Sequence, residues 1–440
     1  MKLPATLTFN TVYRVLNMVV ALLIVVLVSK LAGVAQYGLL SLMVVNATIF
    51  NLLSAFGIDA GITWHSAGDK LSPGKIVSLI FITIAGQMLV LGLVEWIHYA
   101  ATGYYWLFKN NRVEYWWIGL LFLLSVSLTE KYTALFNGHH LFVLCSKILL
   151  YTNLIILAAF AGLFFYFPGY DAGRLAMLYV LLYLLQSVVL VILFHRRVKT
   201  ASRLSFMSGV EIRAFLSFSM VTLITNAIQF LAYRMDYWFI EYYRGDRELG
   251  WYSLSVRLAQ VFWVLPLLFA AILFPLVARE QNRYNDEQML SFTRGLFFFN
   301  LLAGMLAFVL ARWGILWVFG EAYSESILLF RILLPGIILF CPTTILAAWF
   351  AGKGKLGVNL RGSCICFACV VLLDILLVPR WGMKGASIAS SIGYTITTVY
   401  FAGVYCLQTH TPVHKLFFFR QADWRYFRQA FNTALIKKAR

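Results

Sequence analysis

The chain has 440 residues, of which 61% are hydrophobic and only 12% are charged. This balance excludes an ordinary soluble domain of that length. In a membrane protein the formal net charge of +18 indicates topology first, and an affinity for anionic lipid or substrate second. Nucleic-acid binding is disfavoured, because the sequence offers no soluble basic domain to carry it.

Long apolar runs with brief interruptions predict an all-α polytopic membrane protein with twelve transmembrane helices. In the first half the runs cover residues 9–31, 38–63, 76–100, 114–136, 141–167 and 174–194. In the second half they cover residues 214–240, 250–277, 294–319, 325–350, 358–378 and 384–407. We therefore expect two six-helix lobes, at residues 1–212 and 213–408, followed by a tail at 409–440.

Lys and Arg are concentrated in the connections that share one side of the membrane with the N-terminus and the tail. By the positive-inside rule, both termini are expected in the cytoplasm. From His410 onward the tail interleaves aromatic and basic residues, a pattern typical of an interfacial helix on an anionic leaflet. A docking site for a partner is the alternative for this tail.

Two short segments recur at similar spacing in the two halves. GLLSL at 38–42 opens the second span and GWYSL at 250–254 opens the eighth, while a turn that begins with Pro precedes both the sixth and the twelfth span. Six spans, an even number, separate the members of each pair, so the halves are expected to share one orientation. Internal repeats of this kind are found in secondary transporters, whose substrate sites lie between the halves.

Four spans carry polar side chains at helical spacing. These are Asn10, Arg14 and Asn17 in span one; Thr48, Asn51 and Asp59 in span two; Thr222, Asn226, Gln229, Tyr233 and Asp236 in span seven; and Gly250, Ser253, Arg257 and Gln260 in span eight. Such stripes within hydrocarbon predict an aqueous interior shared by the halves. Hydrogen bonds that hold the helices together are the alternative for the neutral residues.

Basic residues outnumber acidic ones within the predicted spans. Arg257 lies inside an apolar run, where a guanidinium facing hydrocarbon costs from ~3 to over ~10 kcal/mol, so it should face a protein interior or a water-filled cavity. Arg14, Arg234 and Lys147 are further basic candidates, with snorkelling to the interface as the alternative. A basic cavity prefers an anion, and Arg matches phosphate geometry particularly well.

Three acidic residues within the spans, Asp59, Asp236 and Glu130, are candidates for ion coupling, and structural ion pairs are the alternative. The sequence has no Gly-rich phosphate loop ending in Lys-Ser/Thr, so transport is expected to draw on an ion gradient, the membrane potential or the substrate gradient. We expect no cofactor.

No metal centre is expected either. Cys364, Cys366 and Cys369 have offsets that spread them around a helix. His139 and His140 lie in a short basic turn without acidic or Cys companions, so a solvated loop is the better interpretation.

Several of these features resemble the polysaccharide flippases, the Wzx-like branch of the MOP exporter superfamily. They are the two six-span halves, GWYS at 250–253, Arg257, Leu265-Pro266, FPLVAR at 274–279 and VPRWGMKGA at 378–386. The resemblance implies that spans one, two, seven and eight line a cationic central cavity. It also implies a substrate, a polyprenyl-diphosphate-linked oligosaccharide such as an O-antigen unit, that crosses the bacterial cytoplasmic membrane by alternating access. In related lipid II flippases an essential Arg occupies the position that Arg257 matches.

On this resemblance, Arg14 and Arg257 are expected to hold the diphosphate, together with Arg234 and Lys147. The neutral residues expected to contact sugar hydroxyls are Asn10, Asn17, Asn51, Asn226, Gln229, Tyr233 and Gln260. The partners expected are the lipid-linked glycan, anionic lipid, a coupling cation (H⁺ or Na⁺) and a glycan polymerase.

Two alternatives stay open. A multidrug exporter of the same superfamily commonly uses an acidic residue in span one, and span one here has none. A membrane glycosyltransferase or polymerase needs catalytic acids or a bulky outer loop, and the outer connections here are short.

Overall fold

The computed structural model describes residues 5–67, 71–109, 111–167, 172–199, 205–279, 286–418, 420 and 423, and these form an all-α fold. The helices are α1 Ala5–Ser54, α2 Ile58–Ala67, α3 Pro73–Thr102, α4 Val113–Gly138, α5 Phe142–Tyr166, α6 Ala172–Arg197, α7 Gly209–Arg244, α8 Asp246–Ala259, α9 Val264–Arg279, α10 Asp286–Phe319, α11 Glu325–Gly352, α12 Leu356–Thr409 and α13 His414–Phe417. Short 3₁₀ helices occupy Gln260–Trp263 and Glu321–Tyr323.

The chain divides into two compact units, Met1–Phe230 and Leu231–Arg440, which we call the first and the second unit. Within the described residues, nine helices are long and apolar enough to cross a membrane. Large apolar side chains such as Trp96, Phe165 and Trp317 are exposed on them, as expected of surfaces that meet lipid. The count of twelve spans, the cytoplasmic termini and the lobe boundary at 212/213 stay predictions.

Two of the long helices are bent at glycines that adopt a left-handed conformation. Gly33 has φ 71° inside α1, and Gly382 has φ 55° inside α12, shortly after Pro379. Glycine reaches this region without steric cost, whereas other residues rarely do. The bends fall between the predicted spans 9–31 and 38–63, and between 358–378 and 384–407. Each of these helices therefore carries two of the predicted spans.

Span two also contains an interruption that the apolar pattern did not predict. The chain breaks between α1 and α2, where Phe56 has φ 50° and Gly57 has φ 67°. A Cβ on Gly57 would lie 2.4 Å from the backbone oxygen of Ser219. Glycine therefore allows both the turn and the close approach of α7.

Hydrogen bonds at matching intervals show that α1 and α5 are parallel. Ser146 Oγ donates to Asn10 Oδ1 at 2.7 Å, and seven residues further along both helices Asn153 Nδ2 donates to Asn17 Oδ1 at 2.8 Å. The same relation holds in the second unit between α11 and α12. There the Gly336 amide donates to Ser391 Oγ, and Thr343 donates to Thr398, both at 3.0 Å.

Each unit has its own apolar core. The first unit buries side chains of α2, α3, α4, α6 and α7, among them Ile62, Ile80, Phe136, Phe194 and Phe215. The second unit buries side chains of α9 to α12, among them Leu273, Ile345, Phe350, Phe401 and Tyr405.

The described part of the tail packs on the second unit. Leu416 in α13 is fully buried in the second core, and the ring of Phe417 lies 5.4 Å from that of Phe297 in α10. Asp423 is also buried, against Arg294 of α10. The remaining tail residues, 419, 421, 422 and 424–440, lie outside the described residues, so the interfacial helix stays a prediction.

Candidate functional site

The two arginines that the sequence analysis ranks first are both exposed. Arg14 is on the first arm of α1, and Arg257 is in the last turn of α8. Neither guanidinium has a hydrogen-bond or ion-pair partner among the described residues. Because an arginine within an apolar span is costly against lipid, each requires water or an anionic ligand.

Arg14 lies between two side chains that join α1 to α5. Asn10 and Asn17 are used in the parallel hydrogen bonds to Ser146 and Asn153. On α5 the Lys147 ammonium lies 5.4 Å from the ring centroid of Tyr13. The structure therefore brings Arg14 and Lys147 onto adjacent helices, while the amides of Asn10 and Asn17 hold those helices together.

The second unit separates Arg257 from the other predicted polar residues. Arg234 donates to the Tyr237 hydroxyl at 2.9 Å and to Gln260 Oε1 at 3.1 Å. Gln260 begins the 3₁₀ turn that follows α8. Tyr233 packs against Trp263 at the end of this turn, with 5.3 Å between ring centroids. Arg234 and Gln260 thus contact each other within the second unit, and Tyr233 packs on neighbouring aromatic rings, whereas Arg257 is exposed and available to a ligand.

The remaining neutral candidates differ in exposure. Asn226 and Gln229 are exposed on α7, where they can reach a ligand. Asn51 is fully buried and accepts hydrogen bonds from Ser127 at 2.6 Å and Gln87 at 3.0 Å, while its amide donates to Glu130. Asn51 therefore serves contacts within the first unit.

A pair of buried carboxylates occupies the second unit. Asp236 accepts hydrogen bonds from the Tyr252 hydroxyl, from Ser390 Oγ at 3.1 Å and from the Tyr237 amide at 2.9 Å. Asp374 is fully buried, and neither of its oxygens has a hydrogen-bond partner among the described residues. The two carboxylates repel one another, so this pair attracts a cation.

Asp374 is not among the coupling candidates predicted from the sequence, which are Asp59, Asp236 and Glu130. The signal was present as one acid within the apolar run CFACVVLLDILLVP at 366–379, which marks a functional position by default. Among the described residues, no group of three or more His, Cys, Asp or Glu could hold a metal ion.

These helices, bends and buried charges define a multi-pass membrane protein with the fold of the MOP superfamily transporters. The chain belongs to the polysaccharide biosynthesis protein family, whose model matches residues 27–328, more than half of the chain.

A curated relative and several solved structures agree with this assignment. The chain is 23% identical over 163 residues to the capsular polysaccharide biosynthesis protein CapF of Staphylococcus aureus. That match spans 35% of this chain and 41% of the relative, so it covers less than half of the relative's length.

Among solved structures, the lipid II flippase MurJ in an inward closed conformation superposes with a TM-score of 0.74 at 12% identity, covering 92% of this chain and 88% of that one. An inward-facing multidrug resistance MATE transporter gives a TM-score of 0.70 at 15% identity, covering 91% and 95%. A MOP superfamily transporter from Pyrococcus furiosus, described as having a binding pocket of reverse polarity, gives 0.65 at 14% identity, covering 93% and 96%.

Proposed function

We propose that this chain is a flippase that moves a polyprenyl-diphosphate-linked oligosaccharide from the cytoplasmic to the outer leaflet of a bacterial cytoplasmic membrane. Its family supports a role in polysaccharide assembly, and its fold supports transport by alternating access. The single observation that carries the proposal is the exposure of Arg14 and Arg257, two cations without a protein partner among the described residues.

The headgroup chemistry follows from these side chains. A guanidinium binds phosphate oxygens through two parallel N–H groups, and the charge makes each bond stronger than a neutral one. Arg14 and Arg257 are each suited to binding diphosphate oxygens in this way, and Lys147 adds positive charge on the helix next to Arg14. Asn226 and Gln229 contact sugar hydroxyls, and the prenyl chain stays in lipid.

Coupling is assigned to the carboxylates of the second unit. Arg234 offsets the charge of Asp236, but Asp374 has no compensating charge among the described residues, so either a proton or Na⁺ neutralises it. The hydroxyl oxygens of Tyr252 and Ser390 adjoin Asp236 and complete an oxygen-rich environment. Asp59 and Glu130 are less suited, because Lys131 already balances part of their charge.

The decisive experiment replaces Arg257 with Ala and with Lys in cells that display the glycan. We expect Arg257→Ala to lose surface glycan and to accumulate the lipid-linked intermediate on the inner leaflet, and Arg257→Lys to retain part of the activity. Arg312→Ala is the matched control, since Arg312 is likewise exposed, on α10, and has no hydrogen-bond or ion-pair partner among the described residues. Normal display by Arg257→Ala at normal protein level would remove this arginine from the mechanism.

A multidrug exporter is the second candidate, supported by the MATE-like fold and by the buried acids Asp236 and Asp374. It predicts drug sensitivity on deletion with glycan display unchanged. A flippase predicts the reverse, together with binding of purified lipid-linked oligosaccharide. The flipped product is also the substrate that a glycan polymerase requires, which makes such an enzyme the expected partner.

A further inference from the structure

Lys131 lies in α4 with its side chain fully buried. Its ammonium donates to Asn51 Oδ1 at 3.1 Å, and the amide nitrogen of the same Asn51 donates to the Glu130 carboxylate. The Asn51 side chain thus joins the ammonium to Glu130, and the charges of Glu130 and Asp59 favour the ammonium through space without a direct ion pair among these described residues. The α4 residues that flank it in sequence, such as Leu128, Tyr132 and Leu135, belong to the apolar core of the first unit. A lysine in such surroundings is rarely buried unless it is paired.

The ammonium lies beside the break between α1 and α2. Asn51 is in the last turn of α1 and Asp59 is in the first turn of α2. One carboxylate oxygen of Asp59 is buried without a hydrogen-bond partner among the described residues. In transporters, interrupted transmembrane helices present backbone oxygens at the break to a coupling cation, and a buried carboxylate at such a break attracts a cation as well. At this break between α1 and α2, the cation is the ammonium of Lys131, which is part of the protein itself.

Further oxygens and amides complete the cluster around Asn51. Gln87 Nε2 donates to Asn51 Oδ1 at 3.0 Å and to Ser54 Oγ at 2.9 Å, and Ser127 Oγ donates to Asn51 Oδ1 at 2.6 Å. Asn51 Oδ1 therefore accepts hydrogen bonds from Gln87, Ser127 and Lys131 together. This oxygen is the point to which the ammonium is held.

The second unit offers a contrast. Arg234 acts on Asp236 there, but the charge that acts on Asp374 is the repelling one of Asp236. In the first unit, Lys131 acts on both carboxylates. In the first unit, the Lys131 ammonium therefore compensates both carboxylates. In the second unit, Asp374 has no such compensation among the described residues, so a cation from solution would have to supply it.

We propose that the Lys131 ammonium is a tethered substitute for a bound monovalent cation in the first unit. Removing it creates a site, between Asn51 and the two carboxylates, that accepts Na⁺ or a small primary ammonium ion. This inference concerns the stability of the first unit, so it stands or falls independently of the flippase function.

The test measures thermal unfolding of the full-length protein in detergent at constant ionic strength. Lys131→Ala should unfold at a lower temperature than wild type. Methylammonium or Na⁺ should raise its midpoint by a saturating amount that exceeds the response of wild type, because a ligand that binds only the folded state stabilises it. N-methylglucamine, a cation too bulky for the vacated space, should give no such excess.

Lys147→Ala is the matched control. Lys147 is half-buried, and among the described residues its ammonium contacts the ring of Tyr13 rather than a carboxylate. This variant should show no excess response to small cations. If Lys131→Ala responds to methylammonium and Na⁺ no more than Lys147→Ala or wild type does, the proposal is overturned.

A second comparison covers the case in which Lys131→Ala does not fold. Lys131→Met keeps the volume and removes the charge, which leaves two carboxylates facing each other. Adding Asp59→Asn should recover part of the lost folded yield and unfolding temperature. A double variant no more stable than Lys131→Met would show that the ammonium does not act as the counter-charge, which contradicts the proposal.

Discussion

The guanidinium of Arg294 holds both carboxylate oxygens of Asp423, with 2.8 Å from Nε to Oδ2 and 2.5 Å from Nη2 to Oδ1. Its third nitrogen donates to the Lys415 backbone oxygen at 2.8 Å. Burial raises the pKa of Asp423, but hydrogen bonds, led by those from Arg294, outweigh it and hold that pKa below its ordinary value. Asp423 and the described part of the tail around Lys415 are thereby attached to α10.

Arg294→Met should remove the ion pair with Asp423 and the hydrogen bond to Lys415. Breaking one partner of a buried pair leaves an uncompensated charge and costs about 3–5 kcal/mol. Denaturant unfolding should show this loss, and limited proteolysis should cut the tail faster. Arg312→Met on the same helix is the control, with an expected change within about 0.5 kcal/mol. Equal effects of the two substitutions would contradict the role of the ion pair.

Lys75 and Glu211 form a partly exposed pair at 2.7 Å in the first unit. Hydrogen bonds from Lys75, then from the Ser208 backbone, lower the pKa of Glu211 from its ordinary 4.5. A carboxyl group with a lowered folded-state pKa stabilises the protein above its unfolded pKa and loses this contribution as the pH falls. Lys75→Met should therefore be less stable than wild type at pH 7, and the gap should close at about pH 3. Unfolding midpoints across this range measure the effect, and an unchanged gap would refute it.

Asn17 and Asn153 should stabilise helix packing rather than bind sugar. Hydrogen bonds between membrane helices contribute about 0.6 kcal/mol on average and at most about 1.7 kcal/mol. A double-mutant cycle with Asn17→Ala and Asn153→Ala should give a coupling energy in that range. Asn226→Ala provides the comparison, because it should weaken glycan binding and leave stability unchanged. Zero coupling, with glycan binding lost in Asn17→Ala, would restore the sugar-binding role to Asn17.

Gly57→Ala should cost more stability than Gly33→Ala. Both positions have positive φ, which costs a residue with a Cβ about 1–2 kcal/mol. A Cβ at Gly33 meets nothing within 4 Å, whereas at Gly57 it overlaps the Ser219 backbone. Thermal unfolding of the two variants compares a position that has backbone strain alone, Gly33, with one that adds a steric clash with Ser219, Gly57. Equal losses would mean that α7 can move aside.

Asp374→Asn should abolish the cation response of the second unit. If wild type binds Na⁺ there, its stability should rise with Na⁺ at constant ionic strength, by about 2.7 kcal/mol at a hundred times the dissociation constant. The variant should lose this rise, and Glu325→Gln, an exposed carboxylate on α11, should keep it. If the response follows pH instead, the coupling ion is a proton. A full Na⁺ response in Asp374→Asn would rule out this carboxylate.

The sequence predicts the helices well, because apolar length and polar spacing are local properties. It predicts that Asn10 and Asn17 lie on one face of their helix. It does not predict that α5 covers this face, because the spacing of polar residues along one helix does not identify the neighbouring helix. The break at Gly57 escapes detection because AFGI at 55–58 is as apolar as its flanks.

Neighbouring residues illustrate a second limit. Glu130 is exposed and Lys131 is fully buried, because consecutive helical residues point in different directions. The sequence places both charges next to each other in one predicted span, but it does not decide which of the two side chains enters the core. In the tail, the sole acid among residues 409–440 is Asp423. This acid could have indicated an ion pair, but the prediction for the tail used only its basic and aromatic residues.

The parallel contacts between α1 and α5 also constrain how the protein is made. Asn10 and Asn17 find their partners 136 residues later in the chain. At roughly 5–20 residues per second of synthesis, that interval lasts about 7–27 s. During this time the first helix resides in the membrane, or in the insertion machinery, with two amides still unmatched. Its final placement is therefore a late event of biogenesis, although α1 precedes every other described helix in the chain.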